Sequence, residues 1–206
     1  MLSELLALVA PPRCSLCARP CPAREALCSL CDSLLRAGPA QRTAIPGLEA
    51  VWSACAYEGT GRQLVVALKF GARLRLAARA AEAIAEAAPA ELLAGEIVPV
   101  LAAPARRRWR GFDPADEIAR SLAARLRLPL NRCLRRSQGR RQVGRPRRER
   151  LSDPPAVRLR GSAPAVAALV DDVVTTGATL AECARALTDA GVADVAAIAY
   201  ARTPGR

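Results

Sequence analysis

The stretch from Ala165 to Leu180, AVAALVDDVVTTGATL, constrains the fold more than any other part of the chain. Its apolar run, Ala165 to Val170, is long enough for one strand and lacks the polar alternation of a half-exposed one, which predicts a strand in the middle of a parallel sheet. Asp171 and Asp172 close that strand, Val173 to Ala178 form a short loop, and Thr179 opens a helical pattern (Leu180, Cys183, Ala184, Leu187) that ends near Gly191. A helix start presents unpaired backbone N–H groups and the positive end of its dipole, which together hold a phosphate. Thr175, Thr176 and Thr179 add hydroxyl donors, and Gly177 lets the backbone come close. Two carboxylates beside a phosphate would repel it, so they serve something else, either vicinal ribose hydroxyls or a bound Mg²⁺. A sugar phosphate satisfies both halves. The alternative is the βα turn of another doubly wound protein, with the acids at a switch point for an unrelated reason.

The segment LVDDVVTTGATL resembles the phosphoribosyl pyrophosphate (PRPP) motif of the type I phosphoribosyltransferases. The resemblance implies that Asp171 and Asp172 hold the ribose 2′- and 3′-hydroxyls. It also implies that Thr175, Thr176, Gly177, Ala178 and Thr179 wrap the 5′-phosphate.

At 206 residues the chain suits one α/β domain of ordinary size plus a small appendage, and 51% hydrophobic residues allow a real core although aromatics are only 3%. The formal charge of +12, from 31 basic against 19 acidic residues, favours polyanionic ligands such as phosphates or nucleic acid; a basic composition shared by a whole proteome would read the same. All the basic residues but Lys69 are arginine. There is no histidine, which excludes Ser-His-Asp and Cys-His triads, a histidine general base and histidine metal ligands. The start, MLSELLALVAPP, is apolar for only a few residues and carries Glu4 where a signal peptide would be basic. It reads as a short amphipathic helix of a cytoplasmic protein with no membrane span.

Five of the eight cysteines fall in CSLCARPCPAREALCSLC, where two C-x₂-C pairs have the spacing of thiolate turns around one metal. Cys14, Cys17, Cys28 and Cys31 therefore read as a tetrahedral Cys₄ zinc site of the ribbon or knuckle type, with Cys21 between them as a competing ligand. A disulfide framework is the alternative, although nothing marks the chain for an oxidising compartment. A module this small cannot bury enough apolar surface to fold alone, so a structural zinc would supply most of its stability. Gly38, Pro39, Pro46 and Gly47 mark its boundary, giving a zinc ribbon over residues 1–40 and a main domain over 41–206.

Leu48 to Tyr57 suggests a strand. Leu64, Val65 and Leu68 form one face of a helix ending near Gly71, and Arg73 to Ala88 a second helix with Leu76, Ala80 and Ile84 spaced for burial. Lys69, the lone ammonium, is either a charge capping the first helix or a compact point charge for a phosphate. Glu96 to Leu101 reads as another buried strand. The following helix has Asp113 and Pro114 as N-cap and N1, with Ile118, Leu122 and Leu126 as its buried stripe. Between the two, Arg107, Arg108, Trp109, Arg110 and Phe112 crowd a loop. Loops at the carboxyl ends of parallel strands share one crevice, so this one should face Asp171 and Asp172, its arginines reaching a pyrophosphate; otherwise it is a solvated loop anchored by Trp109. Ala193 to Ala201 is a last buried strand.

Arg132 to Arg150 holds nine arginines and one acid among breakers, which predicts a mobile loop. Such a segment suits single-stranded DNA, with arginines on phosphates and Trp109 or Phe112 stacking on bases.

Taken in order, the four-cysteine module, Tyr57, LKFGAR, VPV with RWRGFDPADEIA, the Gln/Arg-rich segment and LVDDVVTTGATL resemble the ComF family of competence proteins over nearly the whole chain. The resemblance implies a type I phosphoribosyltransferase-like α/β parallel sheet with an N-terminal zinc ribbon, and a role in DNA uptake and natural transformation. It makes Asp171, Asp172 and Thr175 to Thr179 the PRPP site, used with Mg²⁺, and places Lys69 and Arg110 on the pyrophosphate side. Arg140, Arg141, Gln142, Arg145, Arg147, Arg148 and Arg150 become the hood over PRPP or a DNA contact, although Arg145 stands where the family pattern has Leu and Asp153 where it has Asn. The leading expectation is a PRPP-binding protein that handles incoming single-stranded DNA beside other competence proteins. The second is a working phosphoribosyltransferase of unassigned acceptor. Purine salvage enzymes carry an acid where Thr175 stands, so no residue is assigned to an acceptor base.

Overall fold

The structure is a computed structural model that describes residues 12–36, 40–45, 48–136 and 157–204. A five-stranded sheet in the order β1-β2-β7-β6-β3 forms its centre. Strands β2 (Leu48–Ala56), β7 (Asp194–Arg202), β6 (Val166–Val174) and β3 (Glu96–Pro99) run parallel, and β1 (Gln41–Ile45) pairs antiparallel with β2 at one edge. This is a mixed α/β fold with a mostly parallel sheet. The edge strand β1 was not expected from the sequence.

Burial on both faces explains the unbroken apolar run of β6. Ala168 and Val170 enter one core cluster with Ile198 and Tyr200 of β7, while Ala167 and Leu169 enter the other with Ala197 and Ala199, as the two-residue pleat requires. Helices α2 (Gly59–Gly71), α3 (Arg75–Ala87) and α5 (Pro114–Leu126) cover the first face. Their fully buried residues include the expected Leu64, Val65, Leu68, Leu76, Ala80, Ile84, Ile118 and Leu122. Helix α6 (Ala178–Thr188) covers the second face through Leu180, Cys183, Ala184 and Leu187.

Three segments differ from expectation. Residues 104–110 are not a loop but a short helix, α4 (Pro104–Arg110), started by proline at its first turn and stopped by Gly111 at φ 78°. Strand β6 continues through the acidic pair to Val174, leaving Thr175, Thr176 and Gly177 as the turn before α6. The arginine-rich region does not begin as a loop either: β4 (Leu134–Arg136) pairs antiparallel with β5 (Val157–Leu159). The hood positions Arg140, Arg141, Gln142, Arg145, Arg147, Arg148 and Arg150 lie outside the described residues, as do the N-terminal helix and the boundary residues Gly38, Pro39, Pro46 and Gly47.

The cysteine module packs onto the first face. Cys14, Leu27, Cys31 and Leu35 belong to the same core cluster as α2 and α3, the last two on helix α1 (Ser29–Arg36). Three arginines of the main domain reach back to the module. Arg73 donates to the Ser15 carbonyl at 2.6 Å, Arg75 to the Ala23 carbonyl at 3.3 Å, and the buried Arg79 donates through Nε to Asp32 Oδ1. Among the described residues no helix is long and apolar enough to cross a membrane.

Candidate ligand cleft and metal centre

Parallel strands bring their carboxyl ends to one side of a sheet, and ligands gather there. The ends of β2, β3, β6 and β7 here surround a cleft of about 290 Å³ that reaches Tyr57, Leu101, Asp171, Asp172, Thr175 and Thr203. Lys69, Arg106, Arg110, Asp113 and Arg136 also line it. A small bowl of about 40 Å³ adjoins it, formed by Asp171 and residues 173–180. Thr175, Thr176, Gly177, Ala178 and Thr179, the predicted phosphate loop, therefore border one hollow at the start of α6. Thr176 Oγ1 accepts from Ala178 N at 3.4 Å, which sets the turn, and Gly177 at φ 77° occupies the left-handed region.

The two acids have different surroundings. Asp172 is buried and pairs with Lys69, its Oδ1 lying 2.9 Å from Nζ. Asp171 keeps partial solvent access, and its Oδ1 accepts from Asp172 N at 2.7 Å. Enclosure by the surrounding protein, and next the charge of Asp172, hold the Asp171 carboxyl well above the usual carboxylate range against the opposing pull of Asp172 N–H and Lys69. Asp171 also contributes, after burial, to pushing the Cys183 thiol up to about 12, as expected of a carboxylate facing α6. Asp113 is the N-cap of α5 as predicted. It accepts from Ala102 N at 2.8 Å and Ala115 N at 3.2 Å, with Arg107 Nε 3.5 Å away, and burial raises its pKa despite those contacts.

Of the five residues expected to face the acids from the 107–112 segment, Arg110 does so. Arg107, Arg108 and Phe112 line a separate outward groove with Asp116 and Glu117. Trp109 points to solvent. Once the segment is a helix, residues four apart share a face, so Arg106 and Arg110 enter the cleft together. Arg110 Nε and Arg136 Nε are buried without a hydrogen-bond partner among the described residues, unusual for groups in a finished interior. Arg106, Asp113, Arg136 and Thr203 were not singled out from the sequence as cleft residues. Only the rule that strand ends share a crevice, applied to every strand, would have found Thr203.

At the other end of the chain, the sulfurs of Cys14, Cys17, Cys28 and Cys31 lie within 4.8 Å of one another, with Cys17 and Cys28 3.6 Å apart. A tetrahedron of thiolates at Zn–S distances of about 2.3 Å has edges of about 3.8 Å, so the four fit a metal such as zinc. Cys21 lies outside the four and donates its thiol to the Glu25 carbonyl at 3.8 Å. Burial opposes ionisation of Cys14. Backbone N–H groups of Cys17, Cys28 and Leu16 outweigh it and lower the thiol to about 6, while burial and the neighbouring sulfurs raise Cys31.

No protein-family model matches the chain, and no curated protein matches it.

Proposed function

We propose that the chain binds a phosphoribosyl ligand, PRPP or ribose 5-phosphate, in the cleft at the carboxyl ends of the sheet. One observation carries the reading: Asp171, Asp172, Thr175, Thr179 and four cations border one cleft, and the rest of the threonine loop borders the bowl that adjoins it. The α6 N-terminus and hydroxyls take the 5′-phosphate, the acids accept from the ribose hydroxyls, and the Lys69, Arg106, Arg110 and Arg136 side takes the diphosphate. Ribose hydroxyls on Asp172 would free Lys69 from its ion pair, turning its charge toward the diphosphate. The residues suit Mg²⁺ arriving with the diphosphate rather than a protein-built cage, because Asp113 is occupied by two backbone N–H groups and Asp172 by Lys69. Bound there, the ion would supply charge neutralisation.

The reading extends to a ComF-type protein, cytoplasmic and acting on single-stranded DNA during natural transformation with other competence proteins. Its support is the order of motifs along the chain and the +12 charge. A second reading, pentosyl transfer, is favoured by the four cations that line the cleft together with Thr175 and Thr179, which suit a departing pyrophosphate. The bond from ribose C1′ to the pyrophosphate oxygen would break as an acceptor nitrogen bonds to C1′, by positioning and charge stabilisation.

The test is thermal unfolding with PRPP or ribose 5-phosphate and Mg²⁺. The ligands raise the melting temperature of the intact protein, and replacing Asp171 and Asp172 with asparagine abolishes the rise. No shift in the intact protein overturns the reading. Pyrophosphate release across a panel of bases then decides between binding and transfer.

A further inference from the structure

In a chain only 3% aromatic, two rings stand outside the core: Phe70 is 63% and Trp109 73% exposed, whereas Trp52 and Tyr200 are buried and Phe112 packs against the interior. Phe70 comes from the end of α2 and Trp109 from α4, so their meeting is made by the fold. The ring centroids are 6.4 Å apart with planes at 61°, an edge-to-face corner. The Arg110 guanidinium lies 5.2 Å over the Phe70 ring, covering one of its faces and leaving the indole as the larger open surface. Lys69 and Arg110, the chain neighbours of the two rings, both line the cleft, and Arg110 touches the Phe70 ring as well, so the corner borders the cleft through that side chain.

We infer that the Phe70–Trp109 corner is a stacking site for a nucleobase, the base of a nucleotide whose ribose phosphate occupies the adjoining cleft; this rests on the proposed reading of that cleft. The surroundings favour such an occupant over an apolar protein partner. Four arginines and no acid share the short helix α4 with Trp109, complementing a phosphorylated ligand, and they interrupt the continuous apolar patch that a protein interface needs. A free sugar phosphate has no flat face to offer the rings, whereas every base does.

The probes are ribose 5-phosphate, adenosine 5′-monophosphate and a deoxythymidine oligomer, followed by melting temperature and tryptophan fluorescence. Because Trp52 is buried and Trp109 exposed, quenching reports on Trp109. Ribose 5-phosphate and the nucleotide both raise the melting temperature; only the nucleotide quenches, and it binds about tenfold more tightly. Trp109→Leu removes the quench and the tenfold advantage and leaves the ribose 5-phosphate shift intact. Equal affinities with no quench overturn the stacking site while the cleft reading survives. Quenching that persists in the Asp171→Asn/Asp172→Asn variant, with no ribose 5-phosphate shift in the parent, keeps the stacking corner but overturns the cleft reading and the placement of the ribose. Quenching by the oligomer alone overturns the assignment to a mononucleotide.

Discussion

The pleat separates Asp171 from Asp172 although they are neighbours in the chain. Asp172 meets Lys69 on the α2 side, while Asp171 turns toward α6 and has no ion-pair partner among the described residues. Burial and the adjacent charge raise the Asp171 pKa, so the folded protein keeps this proton at pH values where the unfolded chain has lost it. Through that window the native state binds more protons, and stability falls as pH rises from the unfolded value through the raised folded one. Asp171→Asn keeps an oxygen for the Asp172 N–H and removes the charge. Its denaturant midpoint should exceed that of the parent at about pH 7.5, with a melting temperature ~2–4 °C higher, and the gap should close in acid. A variant no more stable than the parent at neutral pH would show that Asp171 is not held under strain. The gain would accompany lost ligand response, as expected where a binding site is maintained at the expense of stability.

At the level of elements, the start of α6 depends on Gly177. A Cβ there would meet the Ile45 side chain of β1, with its Cγ1 and Cγ2 at 2.9 Å, and the φ of 77° disfavours any other residue. Gly177→Ala should cost about 1–3 kcal/mol and weaken the ribose 5-phosphate shift. Adding Ile45→Ala should recover only part of the ligand response, because it relieves the collision and not the backbone angle; full recovery would show that the angle is unimportant. This contact also marks what the sequence could not disclose. Strand β6, helices α2, α3, α5 and α6, and the paired cysteines were legible because apolar spacing or ligand spacing repeats within each. Strand β1 reads QRTAI and becomes a strand only through its partner β2. Helix α4 is too short and too rich in arginine to show a period, so Arg106 was passed over and Arg107 expected in the cleft. The three-residue strands of the β4–β5 pair offer no pattern, and their pairing joins Arg136 to Val157 across an intervening stretch.

Across the whole molecule, the cysteine module and the sheet share one core, and Arg79 joins them. Its Nε donates to Asp32, the residue after Cys31, and its Nη1 lies 3.6 Å from Glu82, while both terminal nitrogens are buried without a hydrogen-bond partner among the described residues. Withdrawing a metal from the four cysteines would loosen Asp32 and leave a buried guanidinium poorly compensated. A strong chelator should therefore lower the melting temperature of the whole chain by roughly 10 °C in one transition, with about one zinc released per chain. Two transitions, the larger unmoved, would show instead that the module melts alone. The β4–β5 pair has a different consequence at this scale. The chain departs at Arg136 and returns at Val157 directly across the ladder, so joining those ends costs little extra entropy however much sequence is threaded between them. Insertions or deletions in the intervening sequence should therefore be tolerated without displacing the strand that carries the acids, which sits in the separate five-stranded sheet.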